Sequence, residues 1–311
     1  MLGNSLFYKH TFAFISVSLK GISQVILIEN VVSGAIILLA ISITSVPLGV
    51  IALLSSMIGT LIGRLGGADE AMLKQGLLGY NSVLTGLALF LFLTGSTHWI
   101  FSLVGAAIAA ILTASFMHFM KNSGIPILTL PFIILTWFTL LVSYRFTAFH
   151  LSDSLVPQSL MQWELDITGE VDFTQGVFNG IGQVFFLDYT ISGILLFIAV
   201  FWAEWRLGLA AFIGNAVALL TSLALGGEYS LIFLGLYGYN AILTNIAVSV
   251  VFNSKRHPFS FITGGIAACM TVPLAASINT WLLPYGLPAL TMPFVLSTWV
   301  FLSARKILPR V

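Results

Sequence analysis

The sequence predicts an all-α integral membrane protein made of two inverted five-helix repeats, ten spans with two re-entrant half-helices. Three observations predict it: charge is scarce, three sequence blocks recur in order, and basic residues fall on alternate connections. Only 7% of the 311 residues are charged while 58% are hydrophobic, and mean hydropathy is +1.04. A soluble domain carries about 25% charged residues, so this chain lacks the polar surface to cover its apolar bulk in water. A polytopic membrane protein, with the lipid bilayer as its partner, resolves the mismatch.

The repeat comes next. Gly76-Leu-Leu-Gly-Tyr-Asn-Ser-Val-Leu-Thr85 matches Gly235-Leu-Tyr-Gly-Tyr-Asn-Ala-Ile-Leu-Thr244 at an offset of 159. Gln24-Val25 matches Gln183-Val184, and Ser33-Gly34 matches Ser192-Gly193, at the same offset. A third block slips by three: Gly124-Ile-Pro-Ile-Leu-Thr-Leu-Pro-Phe132 against Gly286-Leu-Pro-Ala-Leu-Thr-Met-Pro-Phe294. Three ordered blocks imply two homologous halves, 1–145 and 173–311. Between them lies a polar linker, 146–172, with five acids and no lysine or arginine.

Apolar runs place the spans. In the first half they read 31–45, 47–63, 80–95, 99–117 and 126–144. In the second they read 190–203, 207–224, 239–252, 259–280 and 288–304. Shorter segments, 11–28 and 173–187, precede each set as half-spanning helices that enter and turn back. Met1 to Lys20 lacks the ordered regions of a cleavable signal.

Five crossings per half is an odd number, which inverts the second half. Basic residues should then collect on the cytoplasmic side. With the N-terminus inside, Lys9, Lys20, Arg64, Lys74, Lys121, Arg206, Lys255, Arg256, Arg305, Lys306 and Arg310 all fall inside. Arg145 falls outside with the acidic linker and Glu228. Both termini are then cytoplasmic.

Chemistry concentrates in the repeated blocks. Pro126, Pro131, Pro288 and Pro293 each remove a backbone donor and break regular helix. Broken backbone at membrane depth survives only against protein or a water-filled cavity. There its carbonyls, with the hydroxyls of Thr129 and Thr291, can meet a passing solute. The competing reading is a Pro-kinked helix whose threonine bonds its own carbonyls. In the second block, Gly76, Gly79, Gly235 and Gly238 permit close approach, Asn81 and Asn240 can donate and accept, and Tyr80 and Tyr239 offer flat faces. Helix packing with asparagine as interhelical glue is the alternative. Gln24 and Gln183 are either solute ligands or interfacial amides.

Other residues point elsewhere. Glu29 and Asp188 are repeat-matched acids; they are read as helix N-terminal charges, with proton coupling as the rival. His98 and His257 match at 159 but fall in connections. Cys269, the single cysteine, is expected to be a small buried hydrophobe. No phosphate-binding loop, metal cluster or catalytic set is present in the sequence, so neither a cofactor nor an enzyme is expected. A net charge of +1 gives no sign of nucleic acid. The motif-bearing spans are polar only through Thr, Asn, Gln and backbone, which suits a neutral solute.

Gln24-Val25, Gly79-Tyr80-Asn81-x-x-Leu84 and Pro126-x-x-Thr129-x-Pro131-Phe132 recur as Gln183-Val184, Gly238-Tyr239-Asn240-x-x-Leu243 and Pro288-x-x-Thr291-x-Pro293-Phe294. In these blocks, over essentially its whole length, the chain resembles the urea transporters. The resemblance implies a homotrimer with a pore in each protomer, passing urea in single file down its gradient. It implies slots that hold planar urea by its faces and oxygens that accept its N–H groups. By position, Gln24, Val25, Leu27, Tyr80, Leu84 and Thr129 would bind substrate in one half, and Gln183, Val184, Phe186, Tyr239, Leu243 and Thr291 in the other. Leu27 departs from the family's usual slot phenylalanine, while Phe186 keeps it. Channels for short amides or ammonia, and a proton-coupled transporter, are the alternatives. The expected home is a bacterial inner membrane or a eukaryotic plasma membrane, and the compact chain with short termini leans bacterial.

Overall fold

The computed structural model describes residues 2–161, 163–165, 167–253 and 259–308, with the side chains of residues 2–10 excepted. The calls on Lys9, Asp166, Lys255, Arg256, His257 and Arg310 lie outside the described residues or side chains.

Fourteen helices dominate the described residues. The first half runs α1 (Leu2–Ser23), α2 (Val31–Thr44), α3 (Val46–Leu65), α4 (Glu70–Lys74), α5 (Tyr80–Phe92), α6 (His98–Met120) and α7 (Leu130–Val142). The second runs α8 (Phe173–Gly182), α9 (Thr190–Ala203), α10 (Trp205–Ala224), α11 (Tyr229–Phe233), α12 (Gly238–Ile246), α13 (Ser260–Leu282) and α14 (Met292–Ala304). Lengths agree closely from α2 and α9 onward: 14 and 14, 20 and 20, 5 and 5, 23 and 23, 13 and 13 residues for all pairs but α5 and α12. There α12 gives way to a π-helical segment, Ala247–Val251.

Helix ends follow local chemistry. Asn30 caps α2 by accepting from the Ser33 N–H at 3.0 Å. Ser45 faces the Leu48 N–H, and Pro47 sits in the first turn of α3, where its missing donor is harmless. Asp172 caps α8 by accepting from the Gln175 N–H at 2.9 Å. Among the described residues of 143–172 there is no helix; His150–Leu151 pairs antiparallel with Leu93–Thr94.

Among the described residues four helical stretches are long and apolar enough to cross a bilayer: Val46–Leu65, His98–Ser123, Trp205–Ala224 and Ser260–Tyr285. Twenty residues of helix rise roughly 30 Å, the thickness of the hydrocarbon core. The first helix of each half instead bends sharply into the next, by 75° and 74°. Four further apolar helices are short, Tyr80–Phe92, Leu130–Val142, Gly238–Val251 and Met292–Ala304. The sequence spans 80–95, 126–144 and 288–304 are thus longer than the helices they contain, while 239–252 nearly coincides with Gly238–Val251. In two of them the reason is proline: regular helix begins only at Leu130 and Met292, immediately before Pro131 and Pro293.

Outward faces are apolar. Val104, Ile108 and Ile111 on α6, Ile191, Ile194 and Ile198 on α9, and Ile262 and Ile266 on α13 are exposed. In water such stripes would be costly; in lipid they are the required surface. Trp99, Trp202, Trp205 and Trp281 are exposed at helix ends, where a membrane interface favours indole. Cys269 shares this environment. It is exposed, not buried as its apolar neighbours suggested, because apolar residues here line the lipid side as well as the core.

One core joins the halves. It unites Val25, Ile37, Tyr80, Leu84 and Phe132 with Val184, Leu196, Leu243 and Phe294. α2 packs on α9 through reciprocal bonds: Ser33 Oγ donates to the Ala199 carbonyl at 2.7 Å, and Ser192 Oγ to the Ala40 carbonyl at 2.8 Å. Gly34 and Gly193 allow the preceding helices to approach, since a Cβ there would lie 2.0 Å from the Leu19 carbonyl and 2.1 Å from that of Phe178.

The three-residue slip between repeats lies in one connection, residues 93–97 against 252–259. After it the helices correspond at 162. His98, first residue of α6, therefore matches Ser260 in the fold.

Candidate functional site

Two non-helical segments, 125–129 and 287–291, lead into α7 and α14. Gly-x-Pro at the start of each block stops the helix, and Pro131 and Pro293 restart it. At their tips Thr129 and Thr291 meet, Oγ1 to Oγ1 at 2.6 Å. Their exposures are 2% and 3%, so the hydroxyl pair is almost fully enclosed. The two hydroxyls that sequence matched across 162 positions are one contact in space.

The residue before each threonine is strained. Leu128 and Leu290 both have φ +51°, a left-handed conformation that leucine adopts at a cost of about 1–3 kcal/mol. Their carbonyls are held. Tyr80 Oη donates to Leu128 O at 2.6 Å, and Tyr239 Oη to Leu290 O at 2.7 Å. Asn81 and Asn240 add longer N–H contacts to the same carbonyls, at 3.4 and 3.3 Å. Asn240 Oδ1 also accepts the Phe294 N–H at 3.0 Å, and Asn81 Nδ2 donates to Thr113 Oγ1 at 3.0 Å. The Gly-Tyr-Asn block therefore fixes the broken backbone of the proline block within each half.

The halves also exchange bonds. Trp137 Nε1 donates to the Pro288 carbonyl and Trp299 Nε1 to the Pro126 carbonyl, both at 2.8 Å. Each indole occupies a carbonyl of the opposite repeat that a regular helix would have satisfied.

A second pair of strained residues flanks this centre. Short 3₁₀ turns, Gln24–Ile26 and Gln183–Phe185, follow α1 and α8 and end at Leu27 (φ +59°) and Phe186 (φ +60°). Gln24 Nε2 donates to the Gln75 carbonyl at 3.0 Å, and Gln183 Nε2 to the Leu234 carbonyl at 3.2 Å. The acceptors stand immediately before Gly76 and Gly235, with φ +76° and +90°. A Cβ at either would lie 2.5 Å from a backbone nitrogen, of Gly21 and Gly180. Only glycine fits that crossing.

Of the remaining predicted residues, Val25, Leu84, Val184 and Leu243 are buried in the shared core, and Leu27, Phe186 and Tyr239 pack on it half-buried. The Phe186 ring meets Phe92 edge-on, centroids 5.6 Å apart. Gln24 and Gln183 are half-buried beside their acceptors. Glu29 forms an ion pair with Lys20 at 2.7 Å. Asp188 is exposed just ahead of α9. Sequence reasoning missed Leu128, Leu290, Trp137 and Trp299. The tryptophans were legible as a Thr-Trp pair at the same 162 offset; the left-handed leucines carry no sequence signal.

This arrangement offers hydroxyls, amides and fixed carbonyls, with no carboxylate or ammonium among the twelve residues. Among the described residues no group of three or more His, Cys, Asp or Glu side chains could hold a metal ion.

The family model described as urea transporter matches residues 15–306. The chain is 25% identical over 296 residues to urea transporter 1 of Ovis aries, covering 93% of this chain and 76% of that protein. It is 26% identical over 299 residues to urea transporter 1 of Rattus norvegicus, covering 91% and 75%. Apolar helices of spanning length, a neutral hydrogen-bonding centre shared by two repeats and a match over nearly the whole chain agree: this protein belongs to the urea transporter family, whose members are membrane transporters and not enzymes.

Proposed function

We propose that the protein is a passive, selective channel through which urea crosses the membrane down its gradient, along a pathway between the two repeats. The Thr129–Thr291 contact carries this reading. It joins two broken helices whose carbonyls are already held by Tyr80, Asn81, Tyr239 and Asn240, the arrangement expected of a site at the midplane of inverted repeats.

The pathway would run from Gln24, Val25 and Leu27, past Tyr80 and Leu84, to Thr129 and Thr291. It would leave past Tyr239 and Leu243, then Phe186, Val184 and Gln183. Urea is planar and neutral, with N–H donors and a carbonyl at its edges. Apolar side chains can accept its faces while fixed oxygens replace its edge waters. Each threonine hydroxyl can donate or accept, so urea can insert by exchanging the hydroxyl–hydroxyl bond for bonds to itself. An ion would lose hydration with no compensating charge and would be excluded. The Lys20–Glu29 ion pair gives Glu29 a structural partner, in keeping with transport that is not coupled to protons.

In this reading each half contributes five crossings and one re-entrant segment, ten spans in all, with both termini cytoplasmic. The bent pairs at 75° and 74° supply the re-entrant segments. By family resemblance the assembly is a homotrimer.

Reconstitution into liposomes with stopped-flow light scattering tests the reading. Saturable urea flux, independent of a proton gradient and reduced about ten-fold in Thr129→Val/Thr291→Val, is the expected result. Flux no greater than through empty liposomes, from folded protein, would reject it.

A further inference from the structure

The polar linker occurs once in the chain, and part of it folds over the second half. The Gln158 N–H donates to the Leu283 carbonyl at 3.2 Å. Gly286, with φ +62°, meets the linker so closely that a Cβ there would lie 2.7 Å from the Leu155 carbonyl oxygen. Between this stretch of linker, α10, α11 and α13 lies a cavity of about 540 Å³. Small residues leave the room: Ser222, Gly226 and Gly227 on one side, Pro273 and Ala276 on the other. Its described walls include none of the twelve residues proposed to line the pathway.

The lining is apolar over most of its extent, through residues such as Leu225, Leu231 and Val272, with two aromatic rings, Trp163 and Tyr237. Among the described residues on its walls Glu228 alone is charged. The linker carries five acids and no lysine or arginine. A cavity of this size suits a ligand larger than urea. An apolar body would lie against the aliphatic walls. A positive group would meet the Glu228 carboxylate and an aromatic face, each of which attracts it. The acidic linker would raise the local concentration of cations and repel anions.

The cavity backs onto the broken segment that ends at Thr291. Leu287 and Pro288 are walls, and so is Asn279, whose Oδ1 accepts the Ala289 N–H at 3.0 Å. The Pro288 carbonyl in turn holds the Trp137 indole. We propose that this cavity binds an amphipathic amine, an ammonium group on an apolar body, and that the bound amine slows urea by bracing the backbone between Leu287 and Thr291. Binding stands apart from the pathway, whereas the effect on urea rests on the channel reading above. In that reading urea parts the Thr129 and Thr291 hydroxyls. A ligand that stiffens one of the two broken segments makes the parting harder without occupying the path, so its inhibition is non-competitive.

Phenylbutylamine, with its amine at the chain end, is the probe, and phenylbutanol is its neutral match. Binding is measured by calorimetry on the full chain in nanodiscs, with empty nanodiscs subtracted. The amine should bind about ten-fold more tightly than the alcohol, the effect of one charge-assisted contact. Glu228→Gln should remove that difference and leave the alcohol unchanged. Ala276→Phe, which fills the cavity, should weaken both. Saturating amine should slow urea flux in vesicles about five-fold, with the KM for urea unchanged. The comparison of amine with alcohol on the wild type needs no variant. Amine and alcohol binding alike, or a preference for the amine that survives Glu228→Gln, overturns the site. Binding as expected with urea flux untouched overturns the coupling to Thr291. Vesicles that carry no urea even without the amine overturn the channel reading and leave the binding result standing.

Discussion

Replacing Tyr80 by phenylalanine removes one oxygen and keeps the ring, so it isolates the bond to Leu128. That bond is short, 2.6 Å, and Leu128 O is left with Asn81 Nδ2 at 3.4 Å. A lost neutral hydrogen bond costs about 0.5–1.5 kcal/mol, whereas a carbonyl left wholly unpaired costs about 1–3. Bonds between membrane helices average nearer 0.6 kcal/mol. Because Asn81 can tighten onto the carbonyl, the expected loss is about 1 kcal/mol and not 3. The functional effect follows from Leu128, whose φ of +51° is held in place by this contact. Released, the backbone can relax toward ordinary dihedrals and turn its carbonyl away. A loss of about 1 kcal/mol in solute stabilisation corresponds to roughly five-fold slower urea flux. The assay pairs thermal melting in detergent with stopped-flow flux per folded protein, for Tyr80→Phe, Tyr239→Phe and the double variant. The two sites meet through Thr129 and Thr291, so their effects should be non-additive. Wild-type melting and wild-type flux in the double variant would refute the idea that these hydroxyls shape the site.

Trp137→Phe and Trp299→Phe each leave a proline carbonyl of the other repeat without its indole donor; each should cost about 1 kcal/mol and lower the melting temperature, with no change if water substitutes. Gly76→Ala should destabilise by at least about 2 kcal/mol, from left-handed strain plus a Cβ 2.5 Å from the Gly21 nitrogen, while Gly67→Ala, with φ +70° but open space, should show the strain alone; equal melting temperatures would contradict this. Urea flux should be flat between about pH 5 and 8, because none of the twelve residues proposed to line the pathway titrates there; a steep dependence would return attention to Glu29 and Asp188.

The sequence by itself determined the membrane class and pointed to two halves and to the blocks proposed to carry the site. Composition settled the first, because 23 charges cannot solvate this much apolar chain. Recurrence pointed to the second, because Gly-Tyr-Asn and Pro-x-x-Thr-x-Pro are informative residues in an otherwise degenerate apolar background. Tertiary structure alone decided how the blocks combine. That Tyr80 grips Leu128, that Trp137 crosses to the other repeat and that the two threonines touch depend on contacts between residues 48, 151 and 162 positions apart. It also decided which apolar residues face lipid. Cys269 misled for that reason: in a bilayer, hydrophobicity no longer distinguishes inside from outside. The left-handed leucines were illegible because leucine has no preference for that conformation; it is imposed there by proline breaks on the chain and by hydroxyl donors brought from another helix.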